Sequence, residues 1–229
     1  MSDVSHERGW VDDPETFTDA LADLERDGCV LLVLESADDD ASHAGCRRLL
    51  GDDPAVDRRR LFVSTDGTGQ GHPGVRATDR ASGDRRVVGY RTAARGAVAA
   101  AGTGDPDVPT TTVRGDLETL AATVESEVDA LAPRDGYDAG QLRVCVDALG
   151  ELLAADDLLS VLEFTKSLRA AVTDADGIAH VHVGTHVPGI AVEGVLSQFD
   201  AVVEVAGDDD PRQRWHLPDE SLSTRWLEL

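Results

Sequence analysis

Two hydrophobic rhythms alternate along the chain. Cys29–Leu34, Leu61–Thr65, Leu142–Val146, Ile178–Val183 and Ala201–Val205 are short, largely apolar runs. Parallel strands covered on both faces read this way, and crossover helices of a dozen residues or more join them. Between the runs the apolar positions recur at helical spacing. Asp13 and Pro14 open one helix, Phe17, Ala20, Leu21 and Leu24 share a face, and Gly28 supplies the stop. Asp116 opens the clearest one, with Leu117, Leu120, Ala121, Val124, Val128 and Leu131 in register and Pro133 beyond. Residues 158–172 form a third, and residues 38–50 a weaker one closed by Gly51.

The stretch from Gln141 to Ala206 therefore reads strand, helix, strand, short helix, strand. Arg86–Arg91 and Pro109–Val113 add strands, while residues 66–85 and 102–109 read as loops and 92–101 as a turn or short helix. After a tight acidic turn at 207–211, Arg212–Leu217 and Thr224–Leu229 are expected to pair antiparallel at the sheet edge. Trp215 and Trp226 would cover that edge. The predicted fold is a three-layer α/β sandwich with a largely parallel central sheet and antiparallel C-terminal edge strands. Residues 1–27 form a lead and helix, 28–206 the core, and 207–229 edge strands of the same domain.

Charge narrows the function classes. Forty-four acidic residues face 21 basic ones, a net charge of -23, and Lys166 is the lone lysine. Because this excess is spread over a chain that is 41 % hydrophobic, it reads as a salt-adapted surface rather than an acidic tail. It argues against nucleic-acid binding, which requires neutralised phosphates. The cysteines Cys29, Cys46 and Cys145 form no CxxC and no disulfide framework, which suits a reducing cytosol. MSDVSHERGW has no apolar signal region, and no stretch nears the roughly 18 apolar residues of a membrane span. A cytoplasmic protein is expected.

The strand Leu142-Arg143-Val144-Cys145-Val146-Asp147 ends on a carboxylate, and Ala148-Leu149-Gly150-Glu151-Leu152-Leu153 follows it. With the order of elements over residues 28–206, this resembles the RecA/KaiC-like division of P-loop ATPases, in a haloarchaeal type. The resemblance implies that Asp147 stands where a Walker B aspartate holds Mg²⁺. The chain departs from the family where the phosphate loop belongs. GxxxxGK[ST] cradles phosphates with backbone N–H groups and a lysine. Here Glu35-Ser36-Ala37-Asp38-Asp39-Asp40 runs instead, with no lysine. These carboxylates suit a helix N-terminus, at about 0.3–1 kcal/mol each, and would repel a triphosphate.

Gly69-Gln70-Gly71-His72-Pro73-Gly74 matches GxGxxG, but Pro73 and the polar run beyond it break the helix that a dinucleotide site needs, so it reads as a loop. His180 and His182 share a strand face, with His186 in the turn beyond. Imidazoles so spaced can bind zinc, with Asp147 or Glu151 as a further ligand if their strands are neighbours, and no cysteine is expected nearby. The expectation is a non-catalytic cytosolic regulatory or interaction protein without a cofactor. The resemblance implies a protein partner or a second copy meeting it through sheet edges. The alternative is a Mg-ATP-binding protein or weak ATPase using Asp147, Arg47 and Arg48. A second alternative is a metal-dependent hydrolase using His180, His182 and His186.

Overall fold

The computed structural model describes residues 14–35, 39–51, 53, 55–65, 83–91, 108–147, 149–184, 187, 189–207 and 210–229. Helix α1 is Pro14–Asp27 and strand β1 is Cys29–Glu35, followed by α2, Asp39–Leu50. Strands β2 (Arg59–Ser64), β3 (Arg85–Arg91) and β4 (Thr110–Arg114) come next, then α3, Leu117–Leu131. The expected strand–helix–strand unit is β5 (Leu142–Asp147), α5 (Leu158–Thr173) and β6 (Ile178–Gly184), with α4 (Leu149–Ala155) interposed. The short helix α6 is Gly189–Glu193 and leads to β7, Ala201–Ala206.

The strands form one ten-stranded sheet in the order β10-β8-β7-β1-β6-β5-β2-β3-β4. From β7 to β4 every pairing is parallel. Strand β8 (Arg212–Leu217) turns antiparallel on β7. The final strand expected over 224–229 is instead two two-residue pieces. Strand β9 is Leu222–Ser223 and β10 is Leu227–Glu228, each antiparallel to β8. Beyond Ser223 the contact with β8 continues through Thr224, whose N–H donates to the Trp215 carbonyl at 2.9 Å while its hydroxyl, in place of a backbone carbonyl, accepts from Trp215 N at 3.0 Å. Trp215 is buried with its ring edge-on to Phe17, while Trp226 is exposed with the Arg214 guanidinium over it.

Alternation along each strand splits the core in two. Val30, Leu32, Val144, Val146, Val181 and Val183 point to the face that α3, α4 and α5 cover. Cys29, Leu31, Val33 and Ile178 point to the opposite face, under α1 and α2. The three-layer α/β sandwich follows from these two buried faces. Gly28 makes the α1–β1 connection possible. Its φ of +72° is left-handed, and an added Cβ would lie 3.1 Å from Thr173 Cα and 3.2 Å from the Gly177 carbonyl. Asp13, the expected cap of α1, and the 69–74 glycine motif lie outside the described residues. Among the described residues no helix is long and apolar enough to cross a membrane.

Candidate functional site

The C-terminal ends of β1, β6, β5 and β2 come together beneath α2, and polar side chains gather there. Position parity in each strand dictates which ones. His180 and His182 of β6 lie on the same face as Val33 and Glu35 of β1, because Leu31 is the partner of His180 and Val33 of His182. Cys145 of β5 is the register partner of His180. Asp147 is the partner of Ser64. Helix α2 supplies Cys46 from its buried side. That side is built of small residues, Ala41, Ser42, Gly45 and Cys46, so the helix lies close to the sheet. An added Cβ at Gly45 would stand 3.1 Å from Val205 Cγ2.

Cys46, Cys145, His180 and His182 each offer a ligand-type atom, and these atoms lie within 4.8 Å of one another. The Cys46 and Cys145 sulfurs are 3.6 Å apart, and Cys46 Sγ is 3.5 Å from His180 Nε2. His182 Nδ1 is 2.7 Å from Glu35 Oε1 and the two histidine rings meet edge to face. Cys145 and His180 are fully buried, Cys46 is 1 % exposed and His182 4 %. His180 Nδ1 is buried with no hydrogen-bond partner among the described residues.

The electrostatics separate these groups. Contact with Cys145 holds the Cys46 thiol well below its usual range against the opposing effect of burial, and bonds to both histidines add to this. Burial pushes Cys145 well up, reinforced by Cys46. Burial also lowers His180. For His182 burial acts the same way, but its bonds to Cys46 and Glu35 outweigh it and raise the imidazole to about 10. Burial works to raise Glu35, yet hydrogen bonds from His182 and Ser42 bring it below the ordinary carboxylate value. Burial raises Asp147 to about 6, with His182 opposing and Glu35 and Glu151 adding to the rise. Cys46, His182 and Glu35 thus stand in sequence, the first two buried and Glu35 partly exposed at the outer end.

The expected site residues fare differently. His180 and His182 meet as the spacing requires, and β5 and β6 are neighbours. Asp147 stands at the same strand end, while Glu151 of α4 accepts from the Thr65 hydroxyl at 3.0 Å. His186 lies outside the described residues. The expectation that no cysteine joins the histidines is overturned. Cys145 arrives through strand register and Cys46 through the docking of α2, across 99 residues of sequence from one another. Arg47 and Arg48 stand at the opposite end of α2 from the strand ends. They are exposed in the last turn of α2, while a phosphate site after β1 would face its first turn. The buried residue at that far end is Arg60, which donates to the carbonyls of Leu50 and Gly51.

A family of unknown function, DUF7504, matches this chain over residues 28–205. The chain belongs to that family. The matched span runs from the entry to β1 through β7 and so contains every residue of the buried cluster. No curated protein matches this DUF7504 chain. Two solved structures from Pyrococcus horikoshii share its fold. One is the structural study of PH0250 from strain OT3, with a TM-score of 0.52 and 12 % identity over 86 % of this chain and 90 % of that one. The other is the uncharacterized protein PH0321, solved in complex with an unknown peptide, with a TM-score of 0.54 and 10 % identity over 91 % and 97 % of the two chains.

Proposed function

We propose that this DUF7504 protein is a non-catalytic regulatory or interaction protein on a RecA/KaiC-like scaffold that has lost its phosphate-binding loop. The observation that carries this reading is the place of Glu35. Its carboxylate closes the β1–α2 junction, bonded to His182 Nδ1 at 2.7 Å and to Ser42 in the first turns of α2. Only residues 36–38 separate β1 from α2, too few for a phosphate-wrapping loop. The Glu35 carboxylate, bonded to Ser42, stands beside the first turns of α2 and would repel a phosphate there. The interaction half of the reading draws on the outer strand β4, four of whose five side chains are exposed or partly exposed, an edge to which another strand can add. The peptide bound to PH0321 accords with such a role. The hydrolase alternative is disfavoured because the histidines are buried with two cysteines, leaving no open position for a substrate.

Calorimetry in molar KCl tests the reading. Millimolar Mg-ATP should give no saturable heat, and Asp147→Ala should leave partner capture unchanged. Saturable binding that disappears in Asp147→Ala would mean that a nucleotide site survives, and the scaffold reading would be wrong.

A further inference from the structure

The buried cluster has the dimensions of a metal centre. Zinc bonds sulfur at about 2.3 Å and imidazole nitrogen at about 2.0–2.1 Å. Across a tetrahedral angle those lengths place two sulfurs about 3.8 Å apart, and a sulfur and a nitrogen about 3.6 Å apart. The observed separations are 3.6 Å between Cys46 Sγ and Cys145 Sγ and 3.5 Å between Cys46 Sγ and His180 Nε2. A small closing movement completes the set, since all four donor atoms already lie within 4.8 Å of one another. We propose that Cys46, Cys145, His180 and His182 bind a zinc-class divalent ion in a closed, four-coordinate Cys₂His₂ site.

The surroundings support this assignment. Two sulfurs and two imidazoles select zinc-like ions over magnesium or calcium, which require oxygen ligands. Glu35 holds His182 Nδ1 and so leaves Nε2 as the ring nitrogen for the ion, the carboxylate–histidine arrangement that orients metal ligands. Burial of all four side chains leaves no place for a substrate or water, which makes the ion structural. The same burial argues against Cys46 as a nucleophile, because a reactive thiolate must be reached by its substrate. An ion here joins α2 to β5 and β6, across 99 and 134 residues of sequence. It would thereby fix the helix that covers the strand ends.

The test uses the full chain, expressed without a histidine tag, reduced, and washed with a weak chelator to remove ions held by surface carboxylates. Elemental analysis should find about one zinc per chain. Cobalt(II) added to the stripped protein should give thiolate-to-cobalt charge transfer and the strong visible bands of four-coordinate cobalt. Cys46→Ser and Cys145→Ser should each remove the charge-transfer intensity or the metal, and Glu35→Gln should weaken affinity about 10–100-fold. Cys29→Ser should change nothing, since Cys29 lies in the apolar core between α1 and the sheet. The cobalt spectrum of the unsubstituted chain stands as a test even where a variant fails to fold. A reduced chain that takes up neither ion, or uptake that survives both cysteine substitutions, overturns the proposal.

Discussion

At the scale of single residues, Arg60 shows how much one buried charge can hold. It is fully buried on β2, yet Nε donates to the Leu50 carbonyl at 3.2 Å and its fork also reaches the carbonyls of Gly51 and Arg58. The Leu50 carbonyl is the last of α2, left without a donor by the helix itself and carrying its negative pole, and Gly51 is the left-handed residue just beyond it. Arg60 therefore caps α2 and fastens it to the sheet. Arg60→Met keeps the apolar stem and orphans these acceptors. It should cost about 3 kcal/mol, in line with about 1.5–3 kcal/mol for each hydrogen bond to a charged group. Urea unfolding at constant salt measures it, and a loss below about 1 kcal/mol would show that water replaces the guanidinium.

At the scale of elements, α3 and α5 are fixed at their starts by carboxylates. Asp116 accepts from Thr119 N at 2.9 Å and from its hydroxyl at 2.7 Å. Asp157 accepts from Leu159 N at 3.0 Å and from Ser160 N and its hydroxyl at 3.1 and 2.8 Å. The hydrogen bonds from Thr119 and Ser160 lower the two carboxyls below their ordinary value. A depressed folded pKa means that the unfolded chain binds more protons. The stabilisation is then complete above the unfolded value of about 3.9 and is lost as pH falls through the lower folded values. Asp116→Asn with Asp157→Asn keeps an acceptor oxygen and removes the titration. Between about pH 5 and pH 3, the unfolding midpoint of the double variant should fall less steeply than that of the unsubstituted chain. Parallel curves would show that the caps do not contribute to acid sensitivity.

At the scale of the whole molecule, the net charge of -23 remains after arginines such as Arg86, Arg143 and Arg169 have found carboxylate partners. The unpaired excess repels itself over the screening length, which is about 30 Å at 0.01 M salt and about 3 Å at 1 M. Folding concentrates these charges, so the thermal midpoint should rise as KCl increases over that range. A midpoint that does not move with KCl would remove the basis for reading the surface as salt-adapted.

The sequence by itself determined the α/β class and nearly every core element. A strand covered on both faces must be apolar throughout, as at Cys29–Leu34, and a helix covered on one side must repeat its apolar residues, as in Leu117–Leu131. It also determined that His180 and His182 share a face, since strands alternate with period two. Where apolar pattern was thin the sequence said less. The seven residues of α4 are too few to show a helical repeat, and the chain end has only two two-residue strands, with Thr224 bonding Trp215 partly through its side-chain hydroxyl. The same-face positions of Cys145 on β5 and Cys46 on the small-residue side of α2 were the available signal for the cluster. What the tertiary structure alone decided was that these positions meet. Crossover connections leave the order and register of parallel strands unstated in sequence, and register together with the close approach of α2 at Gly45 brings Cys46, Cys145, His180 and His182 within 4.8 Å.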